Sequence, residues 1–261
     1  MSQDLDRPMW MEDRLGSAIS RLATRIGEAG YATLTEAVQS ADQWRSFQEL
    51  LSCSDFFGEQ VARHHEWLCH GLHDGSLLQS RHWGAHDWDQ ALSTLLTPTQ
   101  SEPELMAALR IFRHQEMLRV LWRDYAKLAS VEDAFEALSQ LADCCIRAAV
   151  SRSATALEEK YGVPLGAESG QPQSLVVLGM GKLGGNELNF SSDIDLIFAY
   201  PETGHTQGGR QELDNQAFFT RLGQMVIRLL DAVTEEGFAF RVDMRLRPYG
   251  DSGALVGSYN A

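Results

Sequence analysis

Apolar positions recur every three to five residues from about Pro8 to Tyr161, a spacing that predicts helices throughout this stretch. Trp10, Leu15, Ile19, Leu22 and Ile26 mark the first helix, which Gly27 and Gly30 are expected to close. Trp44, Phe47, Leu50 and Leu51 form a second stripe, and Ser54 or Asp55 is placed to cap a third that runs through Val61, Trp67 and Leu68. From His70 to Trp88 the pattern loosens around Gly71, Gly75 and Gly84, and His70, His73, His82 and His86 fall there without metal-ligand spacing. Two longer helices follow. Leu105, Leu109, Phe112, Met117, Val120, Leu121 and Tyr125 stripe the first. Ser130 opens the second in a capping-box pattern with Asp133, and Phe135, Leu138, Leu141, Ala142, Cys145, Ile146 and Ala149 line it. Arg110, Arg113, Arg119 and Arg123 read most simply as a solvated face.

After Tyr161 the period changes. Residues 166–173 are polar and rich in turn formers, so the chain divides into a helical domain over 1–165, a connector over 166–173 and a second domain over 174–261. Residues 174–178 are a short apolar, β-branched run, and a second run covers 193–200. A glycine-rich turn and a short helix near Glu187 and Leu188 lie between them. Residues 202–210 read as a loop. Asp214 is placed to cap a helix through Phe218, Leu222, Val226 and Leu230, which ends before Gly237. Beyond it Phe238, Phe240, Val242, Met244 and Leu246 alternate with Arg241, Asp243, Arg245 and Arg247, the pattern of a strand with one polar face.

The chemistry concentrates in residues 175–200. Residues two apart on a strand share a face, so Asp193 and Asp195 stand side by side. Adjacent carboxylates repel, and a hard divalent cation such as Mg²⁺ removes the conflict. If the strand carrying Asp243 is a neighbour, the three aspartates converge on one sheet edge. Bare backbone N–H groups in the Gly181–Gly185 turn can then cradle phosphate oxygens, with Lys182, Arg245 and Arg247 to balance the remaining charge. Gly179–Gly184 matches the dinucleotide pattern G-x-G-x-x-G but returns to a strand within a few residues, where that fold needs a helix of middling length. P-loop spacing is absent, because Lys182 precedes the second pair of glycines.

Composition narrows the classes. A net charge of −14 is the opposite of the basic footprint that sequence-independent nucleic-acid binding needs, and it disfavours an anionic membrane surface. No apolar run reaches membrane-spanning length, the first residues lack signal-peptide character, and Cys53, Cys69, Cys144 and Cys145 form neither a disulfide framework nor a metal pattern. A cytoplasmic protein is expected.

The run from Gly179 to Phe198, G-M-G-K-L-G-G-N-E-L-N-F-S-S-D-I-D-L-I-F, closely resembles the signature of the glutamine synthetase adenylyltransferases. F-F-T-R-L-G-Q, R-V-D-M-R-L-R-P-Y-G-D-S-G, S-D-F-F-G-E-Q-V-A-R-H and R-H-Q-E-M-L-R-V-L-W-R-D extend the likeness from about Ser54 onward. The resemblance implies an α+β chain, with a helical domain followed by a nucleotidyltransferase-like mixed sheet. It implies catalytic, Mg²⁺-binding carboxylates at Asp193, Asp195 and Asp243. Gly181, Lys182, Gly184, Gly185, Ser192, Arg245 and Arg247 become the candidate contacts to nucleotide and phosphate. Family members carry two related catalytic domains, and L-N-F-S-S-D-I-D looks more like the amino-terminal one, which releases ADP from adenylyl-tyrosine of glutamine synthetase by phosphorolysis. Adenylylation from ATP is the alternative activity, and a module that only binds glutamine synthetase or a PII signal protein is the alternative class. A further helical part is expected beyond Ala261, which would leave the catalytic core incomplete here.

Overall fold

The structure is a computed structural model that describes residues 9–81 and 83–259, so His82 and the chain ends lie outside the described residues. Two compact units are drawn from interleaved segments: Met1–His82 with His114–Ala134, and Trp83–Arg113 with Phe135–Ala261. The connector 166–173 lies inside the second unit.

The first unit contains α1 (Met9–Ala37), α2 (Ala41–Cys53) and α3 (Asp55–His73). Gly27 ends the first of two helical segments within α1, as expected: its φ of 75° is a value glycine takes freely, and a second segment then buries Leu34 and Ala37. Ser54 caps α3 by accepting from the Phe57 N–H at 3.1 Å. Leu22, Phe47, Leu50, Phe57, Val61 and Leu68 form the core around Trp122, whose indole N–H donates to the Ser46 hydroxyl at 2.8 Å.

α4 (Ala85–Ser93) occupies part of the stretch that reads as loose in sequence. It has two buried anchors, Trp88 and Leu92, too few to register as a period, and Asp87 closes its first turn on the Gly84 N–H at 2.9 Å. α5 (Glu102–Tyr125) and α6 (Val131–Tyr161) each cross from one unit's residues to the other's. Reciprocal bonds between Ser130 and Asp133, at 2.9 and 3.1 Å, make the expected capping box. The α5 arginines are not a solvated face. Arg110, Arg113, Arg119 and Arg123 are all buried, with Arg119 and Arg81 sharing the Glu116 carboxylate at 2.7 and 2.9 Å.

Two strands arise where the sequence suggests a helix end and a loop. β1 (Gly162–Gly166) and β4 (Gly204–Gly208) pair antiparallel, Gly162 opposite Gly208. The approach is too close for a side chain at Gly162, where a Cβ would lie 2.1 Å from the Gln207 carbonyl oxygen. The other sheet joins β2 (Val176–Met180), β3 (Ile194–Tyr200), β5 (Val242–Asp243) and β6 (Val256–Ser258). β3 is central: β2 lies antiparallel on one side, and β5 and β6 lie parallel along the other.

Between β2 and β3 the helical turn is α7 (Gly181–Gly184), earlier than the expected position near Glu187. Its apolar anchor, Leu183, is buried, and the following loop is tied down where Leu188 N–H donates to Ser139 on α6 at 3.0 Å. α8 (Asn215–Asp231) begins at the Asp214 cap, whose side chain accepts from Ala217 N–H at 2.8 Å. Its Phe219 stacks on Tyr200 at 4.8 Å, and a side chain at Gly223 would meet Phe198 at 2.9 Å. Ile194, Leu196, Phe198 and Tyr200 are therefore the buried face of β3, while Asp195, Ile197 and Ala199 face the less covered side. No helix among the described residues is long and apolar enough to cross a membrane.

The expected strand over 238–247 is only Val242–Asp243. Ala239 and Phe240 give their N–H groups to Leu230 at the end of α8, at 2.9 and 3.0 Å, instead of to a strand. On the far side Asp243 accepts from Arg245 N–H at 2.8 Å, a side-chain turn that takes the chain off the sheet.

Candidate active site

Register brings the acidic residues together. Asp195 lies opposite Met180 of β2 on one side and opposite Asp243 of β5 on the other. Directly paired residues share a sheet face, so Asp195 and Asp243 present their carboxylates on the same, less covered side. Asp193 stands one residue before β3 and is exposed.

The glycine turn closes on this pair. Gly181 has φ of 53°, and a Cβ there would lie 2.6 Å from Oδ2 of Asp195. Glycine is required twice over, by the left-handed backbone and by the carboxylate against it. Gly184 is needed for a different contact, since its Cβ would come within 2.5 Å of the Gly179 carbonyl oxygen. Gly185 follows as the C-cap of α7, and Lys182 is exposed. The Ser192 hydroxyl donates to Asn189 at 2.7 Å and shapes the loop into β3.

Two of the flanking arginines, Arg241 and Arg245, have acidic partners. The Arg245 guanidinium binds both oxygens of Asp243, with Nε at 3.0 and 2.8 Å, and these bonds with its own backbone N–H hold the Asp243 carboxyl below the usual carboxylate range. Arg241 Nε lies 2.6 Å from Asp193, and its other arm donates to the Ser191 carbonyl at 3.1 Å. Arg247 donates to the Met244 carbonyl at 2.8 Å. Asp231 at the end of α8 accepts from Val242 N–H at 3.1 Å, fixing the residue next to Asp243.

The donor set suits a hard cation, since it consists of carboxylate oxygens on neighbouring strands. In the rotamers present, two of the three carboxylates face arginines, and among the described residues no three His, Cys, Asp or Glu groups are gathered in metal-holding geometry. A cation at these carboxylates would compete with Arg241 for Asp193 and with Arg245 for Asp243. Around these carboxylates, the contacts that periodicity does not reveal are those of Asp231 with Val242 N–H and of Arg241 with Asp193. No local signal marks them, because each joins residues distant in sequence.

Helices followed by a small mixed sheet, with acidic residues on one strand edge, are the α+β layout expected from the sequence. A family model described as glutamate-ammonia ligase adenylyltransferase matches residues 44–261, and the chain belongs to that family. It is 44% identical over 249 residues to a protein of Pseudomonas aeruginosa, covering 95% of this chain and 25% of that protein. It is 43% identical over 254 residues to one of Nitrosococcus oceani, covering 97% and 26% respectively. For one of Shewanella woodyi the identity is 42% over 248 residues, covering 94% and 26%. All three are named bifunctional glutamine synthetase adenylyltransferase/adenylyl-removing enzyme. The chain thus spans about a quarter of the length of these relatives.

Proposed function

We propose that this chain carries a nucleotidyltransferase site that removes AMP from adenylyl-tyrosine of glutamine synthetase, with inorganic phosphate as the nucleophile and ADP as the product. The observation that carries the reading is the pairing of Asp195 with Asp243 beneath the Gly181 turn, because it joins carboxylates and bare backbone at one edge. A phosphate oxygen forms a bond to the adenylyl phosphorus while the bond to the tyrosine oxygen breaks, and that oxygen takes up a proton. Asp193, Asp195 and Asp243 would hold Mg²⁺, which when bound supplies charge neutralisation at the phosphates. Gly181, Gly184 and Gly185 leave the backbone open to the phosphate, and Ser192 orders the loop beside it. Lys182, Arg245 and Arg247 receive the remaining negative charge, Arg245 becoming available as it leaves Asp243.

Glutamine synthetase is the protein substrate in this reading, supported by the names of the relatives. A PII signal protein as regulator and a cytoplasmic location rest on the family resemblance. The test is release of ADP from adenylylated glutamine synthetase in the presence of Mg²⁺ and phosphate. Asp195→Asn is expected to reduce the rate at least about a hundredfold without loss of fold. An unchanged rate would remove these carboxylates from the mechanism. ATP-dependent modification of unadenylylated glutamine synthetase, without ADP release in the first assay, would reverse the assigned direction.

A further inference from the structure

Arg110 is fully buried and spends its guanidinium on backbone carbonyls. Nη1 donates to Met106 and Leu229 at 2.8 and 3.0 Å, Nε donates to Gly237 at 2.7 Å, and Nη2 donates to Ala232. Leu229 and Ala232 belong to the last turn and C-cap of α8, where carbonyls lack helical partners and a positive charge is favoured. Gly237 closes the tight turn after that helix, with reciprocal backbone bonds to Thr234 at 2.8 and 2.9 Å. One turn along α5, the Arg113 guanidinium lies over the Phe238 and Phe240 rings, 5.5 and 5.8 Å from their centroids. Three residues after Phe240 comes Asp243. β5 has only two residues of its own, too few ladder bonds to fix its place.

We propose that Arg110 and Arg113 are positioning residues for the site: they fasten the segment from Leu229 to Phe240 onto α5 and thereby set where Asp243 lies beside Asp195. This rests on the reading of Asp243 as a site carboxylate. Arg110 acts from the carbonyl side of the segment and Arg113 from its aromatic side. Asp231 completes the hold through Val242 N–H. Neither arginine touches the reacting groups, so their effect is on the placement of one carboxylate.

The test uses the chain with four substitutions, read by hydrogen exchange of residues 229–243 and by Mn²⁺ binding followed through the EPR signal of free Mn²⁺. Arg110→Met is expected to lower exchange protection in 229–243 while residues 194–200 keep theirs, and to weaken Mn²⁺ binding roughly tenfold, the scale seen for residues that orient metal ligands. Arg110→Lys should recover part of both, because an ammonium group reaches some of the same carbonyls. Should Arg110→Met not fold, Arg113→Leu keeps the apolar packing between the rings and makes the same comparison with a smaller effect. Protection lost over the whole second unit, or lost locally with Mn²⁺ binding unchanged, overturns the positioning role. Asp243→Asn separates this from the underlying reading, since it should abolish Mn²⁺ binding with protection of 229–243 intact. If Asp243→Asn binds Mn²⁺ as the parent does, the site reading itself fails, and the positioning role falls with it.

Discussion

Two sets of arginines in the second unit, Arg110 with Arg113 and Arg241 with Arg245, carry the same charge to opposite ends. The α5 pair is buried, and its partners are backbone carbonyls and aromatic rings. The pair flanking β5 is exposed, and its partners are the aspartates of the candidate site. A buried guanidinium must have its donors satisfied, because an unmet one costs about 1–3 kcal/mol. Once satisfied, it becomes a rigid tie between chain segments. An exposed guanidinium has water as an alternative partner, so its pairing is weak and exchangeable. Exchangeability is what a site needs if a carboxylate is to pass from an arginine to a cation.

The largest expected effect tests the buried side. Arg110→Ala leaves the Leu229 and Ala232 carbonyls without their donor, removes one of the donors to the Gly237 carbonyl and opens a space in the core, so stability should fall by about 2–4 kcal/mol in urea denaturation. A loss below about 0.5 kcal/mol, the usual range for surface substitutions, would mean the carbonyls find other donors and the tie is not rigid.

Next comes the glycine against which Asp195 rests. Gly181→Ala meets both a left-handed backbone and a carboxylate oxygen 2.6 Å from the new Cβ. A cost of about 1–2 kcal/mol is expected, with a larger fractional loss of ADP release than of stability, because the clash displaces Asp195 itself. Full activity with unchanged stability would show that the turn can move away from the carboxylate. On the exposed side, Arg241→Ala should change stability by no more than about 0.5 kcal/mol, since both partners of the Asp193 pair are about half exposed and water screens them. A loss as large as that of Arg110→Ala would erase the distinction between the two sets.

The contrast also explains what the sequence reveals. Asp193 and Asp195 are legible as neighbours because strand alternation is local, and Asp214 and Ser130 are legible as caps because a cap contacts residues two or three further on. The pairing of Asp195 with Asp243 follows once β5 is placed beside β3. The α5 arginines are misleading, since four of them within one helix look like a wet face, and carbonyls at the end of α8 and at Gly237, more than a hundred residues on, help make burial of Arg110 tolerable. The ribbon of β1 and β4 is hidden for the same reason: its glycines read as a loop until each strand meets the other. Alternation from Phe238 to Arg247 promises a long strand, but the end of α8 claims the N–H groups of Ala239 and Phe240, and the Asp243 side chain bends the chain afterwards. Local signals thus carry the caps and the acidic face, while partner-dependent burial and pairing escape them.

The smallest effect carries the comparison over to acids. Asp243 is held low by a partner, whereas Asp143 on α6 is half-buried and its pKa is raised from 3.8, chiefly by burial, with Arg147 opposing. Arg147 is shared, because it also grips Asp89 at 2.7 Å. A carboxyl raised in the folded state keeps its proton over a pH range in which the unfolded chain has released it. Stability is therefore favoured at low pH and lost as pH rises from 3.8 through the folded value. Asp143→Asn removes that penalty, so the variant should gain a few tenths of a kcal/mol at pH 7, allowing for solvent screening, and roughly nothing near pH 4. Urea denaturation at the two pH values reads the difference directly. An equal gain at both would place the effect in packing of the amide, and a loss at pH 7 would show that Arg147 outweighs burial, making Asp143 a partner-held acid like Asp243.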